Sequence, residues 1–141
     1  MKRAANVDKN QVEIVAILRS FGCYVVHTHQ LKNFCDVIAY RNGVTYTIEI
    51  KQTSKHKLTE GEDVARQGIE GAGCKYSVIY SMRCVFKLLD VSIQDLSTAI
   101  YWTSKNVRNT KSNKALKATL LTALDASYKY CKDNNISPTE L

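Results

Sequence analysis

The chain has 141 residues, 45% of them hydrophobic and 23% charged, with a net charge of +7 and a pI near 9.2. These are ordinary globular values for one domain able to bury a core, and no apolar run approaches the roughly 20 residues of a membrane-spanning helix. That argues against a membrane partner, and Cys23, Cys35, Cys74, Cys84 and Cys131 show no C-x-x-C spacing, which argues against a zinc site or a disulfide framework and favours a reducing, cytoplasmic compartment.

In chain order, residues 1–7 are a basic lead-in, and Asp8 with Gln11 reads as a capping box opening a helix to about Ser20, stopped by Gly22. Ile14, Ile17, Leu18 and Phe21 recur at helical spacing and predict its buried stripe. Glu13 sits at the edge of that stripe, either along the core boundary or as a solvated acid near the helix N-terminus. Cys23–Thr28 is β-branched and aromatic enough for a strand, and His29–Asn33 loops onward.

The segment FCDVIAYRNGVTYTIEIK, Phe34–Lys51, predicts a hairpin turning at Asn42-Gly43. A type I′ turn needs two residues that tolerate positive φ, and Asn-Gly supplies them. With Arg41 paired to Val44, alternation puts Val37, Ala39, Tyr46 and Ile48 on one apolar face. Asp36 then falls opposite Glu49 on the other face, with Lys51 following on the same side. Opposed carboxylates roughly 5 Å apart at Cβ are unfavourable unless they share a proton or a cation. A hard divalent metal also accounts for the neighbouring lysine. The plainer reading of Lys51 is an ion pair with Glu49, which leaves the placement of Asp36 unexplained.

Gln52–Leu58 is a polar loop, Thr59 with Glu62 is a second capping box, and the helix that follows carries Val64, Ala65 and Ile69 to a stop at Gly71 or Gly73. Lys75–Tyr80 predicts a strand and Cys84–Leu89 a short helix. Ser92 with Asp95 caps a helix to about Trp102, residues 103–112 read as a linker, and Ala115–Cys131 predicts a last helix with Leu116, Leu120, Ala123, Leu124 and Ser127 on one face. Between 105 and 132, Lys105, Arg108, Lys111, Lys114, Lys117, Lys129 and Lys132 stand against Asp125 alone, a distribution suited to a polyanion such as nucleic acid. Tyr24, Tyr40, Tyr46 and Tyr76 are expected to pack the sheet rather than stack on bases. The order helix, three strands, helix, strand, helices predicts an α/β fold around a mixed sheet.

A helix acid (Glu13), a strand acid (Asp36), the Asn-Gly turn and Glu49-Ile50-Lys51, followed by LTEGE at the next helix, resemble the PD-(D/E)xK nuclease superfamily. The similarity is to its compact branch of Holliday junction resolvases and phage VRR-type nucleases. It covers residue 8 to about 89, and Cys35 stands where the motif's proline usually sits.

The resemblance implies a restriction-endonuclease-like central mixed β-sheet flanked by helices, with residues 1–90 as the nuclease core. Residues 91–141 are then a basic helical C-terminal extension that packs on the core or mediates dimer or DNA contacts. It implies Mg²⁺, with Mn²⁺ able to substitute, held by Asp36, Glu49, the Ile50 carbonyl and Glu13. Lys51 would orient or help deprotonate the attacking water. Auxiliary candidates are Gln67, on the helix after the E-x-K, and His29, with His27 nearby; a surface glutamine and strand-end structural histidines are the plain readings. Lys32, Gln52, Lys55, His56 and Lys57, with Lys111, Lys114 and Lys117, are candidate DNA-backbone contacts, or simply solvated polar residues.

The expected activity is Mg²⁺-dependent endonucleolytic hydrolysis of DNA, structure-selective toward Holliday junctions or other branched DNA. The expected setting is recombination in a bacterial, archaeal or phage-infected cell, with the chain acting as a homodimer. The alternatives are a non-catalytic nucleic-acid-binding protein on a nuclease fold and an RNA-processing nuclease.

Overall fold

The computed structural model describes residues 9–105 and 111–137. The expected capping residue Asp8, positions 106–110 of the expected 103–112 linker with Arg108, and the last four residues lie outside them, as do the side chains of Lys105 and Lys111. The elements run α1 (Lys9–Ser20), β1 (Tyr24–His27), β2 (Val37–Arg41), β3 (Val44–Ile50), α2 (Glu60–Gly71), β4 (Tyr76–Ile79), α3 (Met82–Leu89), α4 (Ile93–Lys105) and α5 (Lys111–Asp133). This is the order expected for an α/β fold. Several helix ends differ: α3 begins at Met82 instead of Cys84, α4 continues to Lys105, and α5 runs from Lys111 to Asp133 instead of from Ala115 to Cys131.

The chain divides into two compact units. Among the described residues, one comprises those through Arg19 with Cys23–Val85, the other Ser20–Gly22 with those from Phe86 onward. The first holds a four-stranded sheet in the order β1-β2-β3-β4. β1 and β2 are antiparallel, as are β2 and β3, while β4 lies parallel to β3. A parallel neighbour cannot be reached by a tight turn, and α2 supplies the crossover.

The hairpin register is the one the turn residues dictate. Arg41 pairs with Val44 and the ladder continues to Val37 with Ile48. Asn42 (φ 49°) and Gly43 (φ 77°) both adopt the positive φ of a type I′ turn. Val37, Ala39 and Ile48 are fully buried, and Val25, Ile50 and Ile79 share their side of the sheet. The α1 stripe of Ile14, Ile17 and Leu18 is equally buried, and Gly22 (φ 83°) follows the helix.

The opposite side of the sheet is split. Thr28, Glu49 and Tyr76 are buried at one end, whereas Tyr24 (72% exposed) and Tyr40 (43%) stand open at the other, their rings 6.3 Å apart. Of the four tyrosines expected to pack the sheet, only Tyr76 is buried and Tyr46 half-buried. β1 lies at the sheet edge, and no described element covers Tyr24. On α2, Val64 is also exposed, and Ala65 and Ile69 are only half-buried.

In the second unit α4 opens with the expected reciprocal cap. Ser92 N–H donates to Asp95 Oδ2 (3.0 Å) and Asp95 N–H to Ser92 Oγ (3.1 Å). It packs against α5, which turns its predicted apolar face inward. Leu120 and Cys131 are buried, with Leu116, Ala123, Leu124 and Ser127 half-buried. Phe21 meets Phe86 edge to face at 5.5 Å. No described helix is long and apolar enough to cross a membrane.

Candidate metal and phosphodiester site

The carboxylates converge at the end of β3, where the pairing of β2 changes. Val37 is the partner of Ile48, yet the Asp36 N–H also donates to the Ile48 carbonyl (3.1 Å). Two successive residues therefore address one partner, the signature of a β-bulge. Asp36 consequently leaves the ladder instead of sitting squarely across from Glu49, as the simple register predicts. Its Oδ2 accepts the Ile50 N–H at 2.8 Å. Within a strand a residue's N–H and C=O share a side, so the Ile50 carbonyl also faces the Asp36 edge.

The loop that delivers Asp36 is tied at its base. Thr28 N–H donates to the Asp36 carbonyl and Thr28 Oγ1 to the Cys35 carbonyl, both at 2.8 Å. The buried Cys35 thiol lies 3.2 Å from Thr28 Oγ1 and 3.6 Å from the Val37 carbonyl it donates to. Tyr76 OH donates to the Phe34 carbonyl (3.1 Å). Across the sheet end, Asn10 Nδ2 donates to the Lys51 carbonyl (2.6 Å), joining α1 to the end of β3.

A pocket of about 140 Å³ opens between this loop and the start of α2, lined by residues that include Asp36, Glu49, Glu62, Thr59, His29 and Lys32. Glu49 is only 4% exposed. Burial, the Asp36 charge beside it and a hydrogen bond with Glu62 push its pKa up to about 8, against the opposing pull of Lys51. Burial and the Glu49 charge also raise the Tyr76 phenol. Three carboxylates, Asp36, Glu49 and Glu62, line one small pocket that also takes the Lys32 side chain, and acids this close favour a proton or a cation between them.

A second lysine, Lys51, outside the lining, is bonded to two of these acids. Its Nζ lies 3.1 Å from Glu49 Oε1 and 2.7 Å from Glu62 Oε2. Burial opposes the ammonium, but hydrogen bonds to Glu62 and Glu49 outweigh it and hold Lys51 above the usual lysine range. Burial likewise opposes charge on Glu62, yet bonds from Lys51 and the Thr59 N–H keep it below the usual carboxylate range. Glu62, expected as a helix cap and as part of LTEGE, is also a pocket residue bonded to Lys51. The spacing of Lys51 to the LTEGE segment was the available signal.

Other expected residues are dispersed. Glu13 is exposed on α1 and absent from the pocket lining. Gln67 is exposed and donates to Asp63 Oδ2 (2.9 Å) along its own helix. His29 does line the pocket, its buried Nδ1 without a partner, with the exposed His27 ring 5.8 Å away. Lys32 joins the pocket wall, while Gln52, Lys55, His56 and Lys57 are exposed on the loop after β3, His56 Nδ1 2.9 Å from Thr53 Oγ1. Lys114 and Lys117 are exposed on α5.

Among the described residues no three His, Cys, Asp or Glu side chains form a ready-made metal cluster. Magnesium does not need one, since it takes one or two carboxylates, keeps several waters and shares phosphate oxygens. Asp36, Glu49 and the Ile50 carbonyl are a donor set of that kind. No protein-family model, curated protein or solved structure matches this chain.

Proposed function

We propose that this chain is a Mg²⁺-dependent endonuclease that hydrolyses phosphodiesters in DNA, built on a restriction-endonuclease-like α/β core. The observation that carries the reading is the meeting of Asp36 and Glu49 at one pocket, with Lys51 bonded to Glu49. A pure binding module gains nothing from buried carboxylates where phosphates approach.

Asp36 and Glu49, with the Ile50 carbonyl, would hold the cation. Bound Mg²⁺ supplies a water of lowered pKa and positive charge against the phosphate. With the metal present both acids remain ionised despite their closeness. Lys51, held charged, donates hydrogen bonds and offsets charge on the phosphoryl oxygens; an ammonium with a raised pKa orients a water and does not take its proton. Lys32 at the pocket wall is suited to a flanking phosphate.

Within this class the reading favours a structure-selective enzyme for branched DNA acting as a two-fold dimer, because paired cuts require two sites at fixed separation. The test is incubation of the protein with a four-way junction, a nicked duplex, a linear duplex and matching RNAs, in Mg²⁺ and in EDTA. Cleavage of the junction in Mg²⁺ alone supports the full reading. Preferential cleavage of RNA would redirect the substrate, and no cleavage of any substrate would refute the activity.

A further inference from the structure

We infer that Glu62 is the positioning residue for Lys51, an inference that rests on the hydrolytic reading of the site. A lysine ammonium ends a flexible four-carbon stem and has no preferred direction of its own, so it acts at a fixed point only when partners hold it. Lys51 has two such partners, Glu62 Oε2 at 2.7 Å and Glu49 Oε1 at 3.1 Å. The Lys51 and Glu62 side chains are 14% and 18% exposed, so water screens this pair less than it screens a surface ion pair.

The two partners are not equivalent. Glu49 turns its oxygens to the cation in the proposed reaction, which weakens its hold on the ammonium. Glu62 has a different anchor: its Oε2 also accepts the Thr59 N–H at 2.7 Å, while Thr59 Oγ1 accepts the Glu62 N–H at 3.3 Å. The capping box therefore fixes one carboxylate at the N-terminus of α2, and that carboxylate reaches across the loop to the residue that follows β3. A motif that ordinarily serves helix stability doubles as the clamp that keeps Lys51 beside the acid pair.

Glu62→Gln separates the two duties. Glutamine at this helix position still accepts the Thr59 N–H and keeps the cap, but it lacks the charge that holds Lys51. Two measurements read the result. The first is trace acetylation of the metal-free protein by acetic anhydride, quantified at Lys51 against the exposed Lys55 and Lys57. The second is steady-state hydrolysis of whichever DNA the wild type cuts, with its Mg²⁺ half-saturation.

Lys51 labelling should rise severalfold, and kcat should fall by about tenfold to 100-fold, the range for a displaced catalytic group. KM, Mg²⁺ half-saturation and the unfolding midpoint should change little. Unchanged Lys51 labelling overturns the inference, and so does a loss of activity restored by excess Mg²⁺, which would assign Glu62 to the metal. If the wild type hydrolyses nothing while labelling still rises, the hydrolytic reading fails, and the catalytic role of Glu62 fails with it, leaving only a structural ion pair.

Discussion

The Asp36 carboxylate accepts the backbone N–H of Ile50 at 2.8 Å, so one residue of the acid pair is oriented by the strand that carries the other. The bond fixes Oδ2 and leaves Oδ1 for a ligand. Asp36→Asn retains an oxygen for the Ile50 N–H while removing the charge that raises Glu49. The metal-free variant should unfold at or slightly above the wild-type temperature. The Mg²⁺-induced rise in midpoint should vanish, and hydrolysis should fall by about 100-fold or more. Thermal unfolding with and without Mg²⁺, beside a single-turnover assay, checks all three.

Glu49 predicts a pH dependence of stability. Its folded pKa of about 8 lies above the ordinary carboxylate value of 4.5, so the folded chain retains a proton that the unfolded chain releases. The stability from this group is complete below about pH 4.5, declines as pH rises and is gone above about 8. The metal-free midpoint should therefore fall between pH 5 and pH 8.5 more steeply in the wild type than in Glu49→Gln. Mg²⁺ should flatten the wild-type curve, and its binding near pH 7 should release protons measurable by calorimetry in buffers of different ionisation enthalpy.

Gly61 is predicted to be intolerant of any side chain. It sits in the first turn of α2, where a Cβ would collide with the Asn33 side chain as far in as its own Cβ. Asn33 holds a left-handed conformation (φ 56°) in the loop that leads to Asp36, so it has little room to retreat. Gly61→Ala should cost about 1–3 kcal/mol by overpacking and displace the pocket wall. Urea unfolding gives the first quantity, and a weakened Mg²⁺ response gives the second.

Thr28→Val tests the base of the same loop. Valine nearly matches threonine in shape but cannot donate to the Cys35 carbonyl, which would lose its buried 2.8 Å bond. A loss of about 1–3 kcal/mol is expected, measurable by urea unfolding, together with reduced hydrolysis, since this loop presents Asp36.

Much of this arrangement is legible in the sequence because local chemistry fixes it. Asn42-Gly43 dictates the turn, the turn dictates the register, and the register brings Asp36 toward Glu49 and Lys51. Thr59 and Glu62 announce a capping box, and the structure forms one. What escapes is whatever depends on the third dimension. Alternation carries Asp36 straight across from Glu49, whereas the extra residue at Ile48 sends it to Ile50. The approach of Glu62 to Lys51 depends on where the α2 crossover starts, which no periodicity encodes. Glu13 shares a helix with a well-predicted stripe, but a stripe defines the buried face and leaves the aim of a flanking acid undetermined. Tyr24 and Tyr40 have strand propensity without cover, because propensity is blind to whether another layer lies above a sheet.

The most direct measurement is hydrolysis, in Mg²⁺, of the DNA structure the wild type cuts fastest, compared between wild type and Glu49→Gln at equal folded concentration. The Asp36–Glu49 site predicts Mg²⁺-dependent cleavage by the wild type that EDTA abolishes, and a loss of about 100-fold or more in the variant. Equal rates and the same product pattern from the two proteins would contradict it.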